Sequence, residues 1–236
     1  MSSSPFFALA EPTIRYCETN LSGWIAQPAN AISSLLISLA GAYILVKKRH
    51  AYSVYLGVIA IILGLASFSY YASFTFLGQL ADLGSMYLLA SLLIVAALRP
   101  YKLSRNLGLG VLAVGAGVPL AITATVRTIG SFNIGIPLFA LLLAIAIYLE
   151  LKAAGQGRLK LKYFWLTFAA FAAGYLFWWL DYKKIWCSPA SFHYINGHAA
   201  WHFFNAMALI SLDQYYAQLK RDKFGASAKR EEVRKT

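Results

Sequence analysis

Seven apolar stretches follow one another along this chain, roughly over 30–46, 54–76, 79–98, 107–126, 132–151, 163–180 and 198–219. Each is long enough, or nearly so, for a helix to cross a hydrocarbon core of about 30 Å. One soluble core has no room for so many. Charged residues make up 13% of the chain and hydrophobic residues 59%, where soluble domains run near 25% charged. The pattern predicts an all-α integral membrane protein with seven transmembrane helices. The first stretch is short, and its helix could begin as early as Ile25. Only Leu77-Gly78 separates the second stretch from the third, so a tight turn is expected there. Met1-Ser2-Ser3-Ser4-Pro5 has no basic region leading into an apolar run, so no signal peptide is expected. Without internal repeats or linkers, the economical division is an outer N-terminal segment over 1–29, a membrane domain over 30–219 and a basic tail over 220–236.

The net charge of +12 would suit a nucleic-acid partner, but its distribution points elsewhere. One set of connections holds Lys47, Lys48, Arg49, Arg99, Lys102, Arg105, Lys152, Arg158, Lys160 and Lys162, and the tail adds seven more basic residues. The opposite side holds only Arg15, Arg127, Lys183 and Lys184. Excess Lys and Arg mark the cytoplasmic face. The expected topology is N-terminus outside (lumenal or periplasmic) and C-terminus cytosolic, in a multi-pass protein of an organelle or bacterial membrane, with no nucleic-acid partner. The tail is expected to touch anionic lipid. Cys17 and Cys187 then fall on the side where disulfides persist, and they are expected to pair. Two unpaired thiols are the alternative, because a bridge needs a geometry that spacing does not supply.

This topology brings several polar residues to one depth near the outer face: Ser67 and Tyr71 at the end of the second helix, Asp82 at the start of the third, and His198 and His202 at the start of the seventh. The two histidines are four apart and share a helix face, a spacing with which one helix can offer two imidazoles to a zinc ion. Ionisable residues at membrane depth are rare and usually functional. Each has a plainer alternative. Asp82 would favour the positive end of a helix dipole. Ser67 would bond backbone or a neighbouring helix. Tyr71 would belong to an aromatic belt, and the histidines would hydrogen-bond between helices.

Three motifs in order give these residues a context: Tyr16-Cys17-Glu18-Thr19-Asn20 with Ile25-Ala26-Gln27-Pro28-Ala29-Asn30; the run from Ser67 through Gln79 to Asp82; and Phe177-Trp178-Trp179-Leu180-Asp181, Cys187 and Gly197-His198-Ala199-Ala200-Trp201-His202. Over nearly its whole length the chain resembles the alkaline ceramidases, in the seven-helix hydrolase superfamily that includes the adiponectin and progestin receptors. The resemblance implies a zinc ion on three histidines, one from the second helix and two from the seventh, assisted by a serine and an aspartate. It implies attack of the metal-bound water on the amide of ceramide, giving a sphingoid base and a fatty acid. It also implies a disulfide between the two cysteines and, in several members, calcium held by N-terminal carboxylates.

The departures are specific. Tyr71 stands where the resemblance implies the second-helix histidine, and a phenol with pKa near 10 is a poor zinc ligand unless ionised. The open outcomes are Asp82 as third ligand beside His198 and His202, His193 folding in from its loop, or loss of zinc in a pseudoenzyme. At the calcium site, Arg15 and Gln27 replace two acids while Glu18 and Asn20 remain. Calcium is therefore not expected, and Arg15 is expected to pair with Glu18. The favoured function is metal-dependent hydrolysis of a lipid amide, with Asp82 as ligand or general base, Ser67 donating to the oxyanion or holding a ligand, and Tyr71 bonded to the attacking water. The alternative is an altered homologue that binds lipid. A third reading is a receptor or transporter; against transport, no paired broken helices mark a midplane site. The glycines of the fourth stretch, Gly108, Gly110, Gly115 and Gly117, are expected to permit close helix packing instead.

Overall fold

The structure is a computed structural model that describes residues 10–130, 132–155, 160–187 and 195–235, with side chains of the last helix described through Leu219. His193 lies outside the described residues. Seven helices follow in order: α1 (Pro28–Lys47), α2 (Ala51–Ser73), α3 (Phe76–Ala97), α4 (Arg105–Val126), α5 (Gly135–Gly155), α6 (Lys162–Tyr182) and α7 (Gly197–Lys235). A 3₁₀ turn, Arg99–Tyr101, precedes α4. A two-stranded hairpin pairs β1 (Thr128–Ile129) with β2 (Phe132–Asn133) before α5. By length and composition α1 to α6 can each cross a membrane. Their outward faces carry large apolar side chains such as Leu39, Val46, Ile62, Val114 and Leu166, the surface a lipid-facing bundle needs.

The ends of the helices are fixed by local chemistry. Pro28 opens α1, where its missing N–H costs nothing. The Glu18 carboxylate accepts from Ala29 N–H and Asn30 N–H, both at 2.9 Å, and so caps α1 from eleven and twelve residues away. The expected turn at Leu77-Gly78 lies three residues earlier. Phe74 takes a left-handed conformation (φ 45°), and Thr75 caps α3 by accepting from Gly78 N–H. Gly78 therefore belongs to the first turn of α3, where a Cβ would come within 2.8 Å of the Tyr70 Cα. The glycine-rich α4 also differs from expectation. Only Gly115 presses closely on α3, against Ser91, while a Cβ on Gly110 or Gly117 would meet nothing.

α1 packs on α2 and α7, α6 on α7, and α3 on α2, α4 and α5. The consecutive helices α5 and α6 scarcely touch, and an internal cavity lies between their facing sides. Two apolar clusters fill the bundle. One, around Ile44, Leu56, Leu63, Phe164 and Leu212, occupies the half nearer the basic connections. The other, around Ile14, Tyr16, Tyr70, Tyr71, Trp178 and Trp201, occupies the opposite half. Two buried carboxylates tie the first half together. Glu150 accepts from Arg99 (2.6 and 2.7 Å), Tyr215 (2.6 Å) and Tyr216 (3.1 Å). Asp213 accepts from Arg49 and Ser53, both at 2.6 Å.

Candidate active site

The second half of the bundle holds the residues of interest. Ser67 and Tyr71 come from the last turns of α2, Asp82 from the second turn of α3, and His198 and His202 from the first turns of α7. All five are buried. The start of α7 is held by two side chains. Asn196 accepts from Ala199 N–H (2.6 Å) as its cap. The Asp181 carboxylate accepts from His198 N–H (3.2 Å) and from Cys17 N–H (2.9 Å). Gly197 permits this docking, since a Cβ there would lie 2.6 Å from the Phe177 carbonyl oxygen. Cys17 and Cys187 are joined in a disulfide, which closes the N-terminal segment over the site.

Most polar groups inside the cluster meet in pairs. The Ser67 hydroxyl donates to Asp82 Oδ1. The Tyr71 hydroxyl lies 2.6 Å from His198 Nε2, and among the described residues His198 Nδ1 has no partner. Ser33 of α1 lies 2.8 Å from His202 Nδ1. The Ser33 hydroxyl also lies 3.1 Å from the Asn30 carbonyl oxygen; where its proton goes there, its oxygen accepts from His202 Nδ1–H. In that tautomer His202 Nε2 is the unprotonated nitrogen. The rings of His198 and His202 are edge to face with centroids 4.7 Å apart, and Tyr71 sits 5.0 and 5.5 Å from them. Tyr16 covers His198, centroids 4.1 Å apart. Burial pushes the Tyr16 phenol well above its usual range, so it stays protonated.

Two adjoining chambers, about 130 and 280 Å³, open onto this cluster. Ser67 and His202 line the first and His198 the second, while Tyr71 and Asp82 line both. The remaining walls are almost wholly apolar, with Phe139, Leu143, Phe171 and Trp201 prominent. The first chamber continues past Phe164 to Glu150. The arrangement offers a long apolar chain a lined path that ends at a serine, a tyrosine, an aspartate and a histidine.

The zinc implied by the resemblance can be tested against these donors. A catalytic zinc uses three protein ligands. The two imidazoles are close enough to share an ion, but His198 Nε2 is engaged by the Tyr71 phenol. Among the described residues no three His, Cys, Asp or Glu side chains converge on one point. Asp82 is turned to Ser67 instead. The set does not fit a three-ligand zinc site as it stands. Of the residues at the calcium position, Glu18, Asn20 and Gln27 stay together and Arg15 turns away. Arg15 makes its ion pair with Glu11, which corrects the expected Arg15–Glu18 pair, because Glu18 is turned to the N-terminus of α1. The Gln27 amide NH₂ donates to the Glu18 carbonyl (3.1 Å) and to Asn20 Oδ1 (3.0 Å). A donor thus sits among the oxygens that a cation would need.

Sequence reasoning missed three residues that shape the cluster. Ser33 carries no motif, and its contact with His202 spans most of the chain. Asp181 lay in a quoted motif, but its double role in docking Cys17 and α7 had no local sign. The capping function of Glu18 was hidden by its place in the calcium set.

The Ceramidase family profile matches residues 9–233. The chain belongs to the Ceramidase family. No individual curated protein matches it. Family membership implies a hydrolase acting on the amide of a lipid, ceramide, and the six apolar helices agree with a membrane-embedded protein.

Proposed function

We propose that this ceramidase-family chain cleaves a ceramide-like N-acyl lipid inside a seven-span bundle, with its site toward the outer leaflet and its basic tail in the cytosol. In this reading the membrane domain covers 30–219. The observation that carries the proposal is the pair of adjoining apolar chambers that meet at Ser67, Tyr71, Asp82 and His202. The acyl chain lies along Phe139, Leu143 and Phe171, which brings the amide to the polar cluster and excludes bulk water from it. Asp82, oriented by Ser67, takes a proton from the attacking water. His202, held by Ser33 with Nε2 unprotonated, accepts the water's second hydrogen bond. The Tyr71 hydroxyl stabilises the oxyanion that develops on the carbonyl. The proton on Asp82 then passes to the leaving nitrogen, giving the sphingoid amine and the fatty acid.

A second reading is favoured by one contact. The Tyr71–His198 bond takes up an imidazole nitrogen that the family's chemistry leaves to a metal, which suits an altered homologue that binds lipid without cleaving it. A zinc ion here would have two imidazoles and lack the third protein donor. One preparation separates the readings: protein purified without chelator or polyhistidine tag, assayed for zinc per chain, for release of fatty acid from short- and long-chain ceramides, and for retained lipid. Turnover that disappears in Asp82→Ala supports hydrolysis. Retained ceramide without turnover supports the second reading. Undiminished turnover in Asp82→Ala sinks the assignment of Asp82.

A further inference from the structure

The basic end of the bundle carries a cavity that the amidase reading does not use. It holds about 920 Å³ and lies between the start of α2, the end of α3 and the start of α4, with Leu219 of α7 at its edge. Five side chains on its wall are cationic or can become so: Lys48, His50, Arg99, Lys102 and Arg105; among the described residues no acidic side chain lines it. Arg99 is paired with Glu150, and His50 Nε2 lies 3.1 Å from Asp213, which also holds Arg49, so among the described residues Lys48, Lys102 and Arg105 are the wall cations left without a carboxylate. Lys48, Lys102 and Arg105 are exposed at the mouth. Lys48 and Lys102 sit at sharp left-handed turns (φ 39° and 49°). The first turns of α2 and α4 also open here, and neither carries an acidic residue, so two positive helix ends add to the field. His50 lines the same cavity with its side chain 3% exposed and its Nε2 on Asp213, and among the described residues its Nδ1 has no hydrogen-bond partner. Below the charged mouth the wall is apolar, formed by Leu92, Val95, Leu112 and Leu219.

We propose that this cavity is a binding site for an anionic phospholipid, with the headgroup phosphate among Lys48, Lys102 and Arg105 and an acyl chain against the leucines and Val95. Charge alone would suit any phosphate. The apolar floor, set in a bundle whose outer faces are themselves apolar, selects the lipid over the free ion. Basic pockets between membrane helices on the cytoplasmic side hold anionic headgroups by this combination of charge and apolar wall. The site is separate from the Ser67–Asp82 cluster and does not depend on whether that cluster cleaves an amide.

The test is native mass spectrometry of the full chain released from nanodiscs of equal phosphatidylglycerol and phosphatidylcholine. The wild type is expected to retain phosphatidylglycerol over phosphatidylcholine by about tenfold or more. A Lys48→Gln/Lys102→Gln/Arg105→Gln variant is expected to lose that preference while keeping the wild-type unfolding temperature, since all three side chains are exposed. A Lys47→Gln/Lys152→Gln/Lys162→Gln control removes equal charge outside the cavity and is expected to keep it. Should the triple variant fold poorly, Arg105→Gln alone is expected to cut the preference about threefold or more. Equal retention of the two lipids by wild type, or an equal loss in the control, overturns the proposal. Displacement of the lipid by millimolar inorganic phosphate would instead assign the cavity to free phosphate and overturn it as well.

Discussion

Replacing Tyr71 by phenylalanine isolates the contact on which the reading of the site turns. The Tyr71 ring is 1% exposed and its hydroxyl lies 2.6 Å from His198 Nε2. Phenylalanine keeps the ring, its packing on Tyr70 and Tyr16, and the helix. Only the hydroxyl goes. His198 is also 1% exposed, and its Nδ1 already lacks a partner, so the variant leaves both nitrogens of a buried imidazole unpaired. Stranding such a group costs about 1–3 kcal/mol. For a chain of this length that corresponds to a fall of about 2–12 °C in the unfolding midpoint, at about 2–4 °C per kcal/mol. The assay is thermal unfolding in detergent or nanodiscs, with fatty-acid release measured on the same sample. Tyr71→His supplies the converse. It returns an imidazole to α2 beside the two of α7 and is expected to raise bound zinc toward one per chain, above the wild-type content. An unmoved midpoint in Tyr71→Phe would refute the reasoning that the phenol holds His198. Equal zinc in wild type and Tyr71→His would refute the argument that Tyr71 is what removes the third donor.

Further outcomes follow from the other buried pairs. Glu18→Ala leaves Ala29 N–H and Asn30 N–H without their acceptor at a site 2% exposed; it is expected to cost about 2–6 kcal/mol, read as a drop of about 5 °C or more in the midpoint. Glu150→Ala strands the Arg99 guanidinium, whose side chain is 14% exposed. It is expected to cost about 3–5 kcal/mol, with Arg99→Gln/Glu150→Gln costing less than Glu150→Ala alone in a double-mutant comparison of melting curves. Ser33→Ala frees the His202 ring from its tautomer-setting partner and is expected to lower the rate of ceramide cleavage about tenfold with KM little changed, in line with loss of about one hydrogen bond.

How far the sequence could be read depended on where the information lay. The helices were legible because hydropathy is a sum over many residues and tolerates local error. The disulfide was legible because a charge count put both cysteines on one side of a membrane. The Phe74-Thr75 turn was not, since Phe74, Phe76 and Leu77 keep hydropathy high across it. What stops the helix there is a threonine cap and one left-handed residue. The histidine pair, Ser67 and Asp82 could be singled out because polar groups are conspicuous in an apolar chain. Their partners could not be assigned. Whether Tyr71 faces His198, and whether Ser33 faces His202, depends on the rotation of α2 and α1 about their axes to within a fraction of a turn. Uniformly apolar helices leave that rotation unspecified, and packing alone fixes it. Glu18 misled for a related reason: a carboxylate suits a cation and a helix N-terminus equally well, and only Pro28-Ala29-Asn30 arriving beside it decides between them.

The pairing inside the cluster has a consequence for metal dependence that can be measured apart from activity. At this depth a polar group left unpartnered is costly, so a site built around a metal loses stability when the metal is removed. Here Ser67 is paired with Asp82, Tyr71 with His198 and Ser33 with His202. The polar groups of α1, α2, α3 and α7 are thus joined to one another across the bundle, with His198 Nδ1 left over. Extensive chelation followed by thermal unfolding is therefore expected to leave the wild-type midpoint unchanged, whereas Tyr71→His loaded with zinc is expected to lose stability on the same treatment, because its three imidazoles would then depend on the ion for their partners. A large fall in the wild-type midpoint on chelation would show that the hydrogen-bonded pairs do not carry the site, and that an ion does.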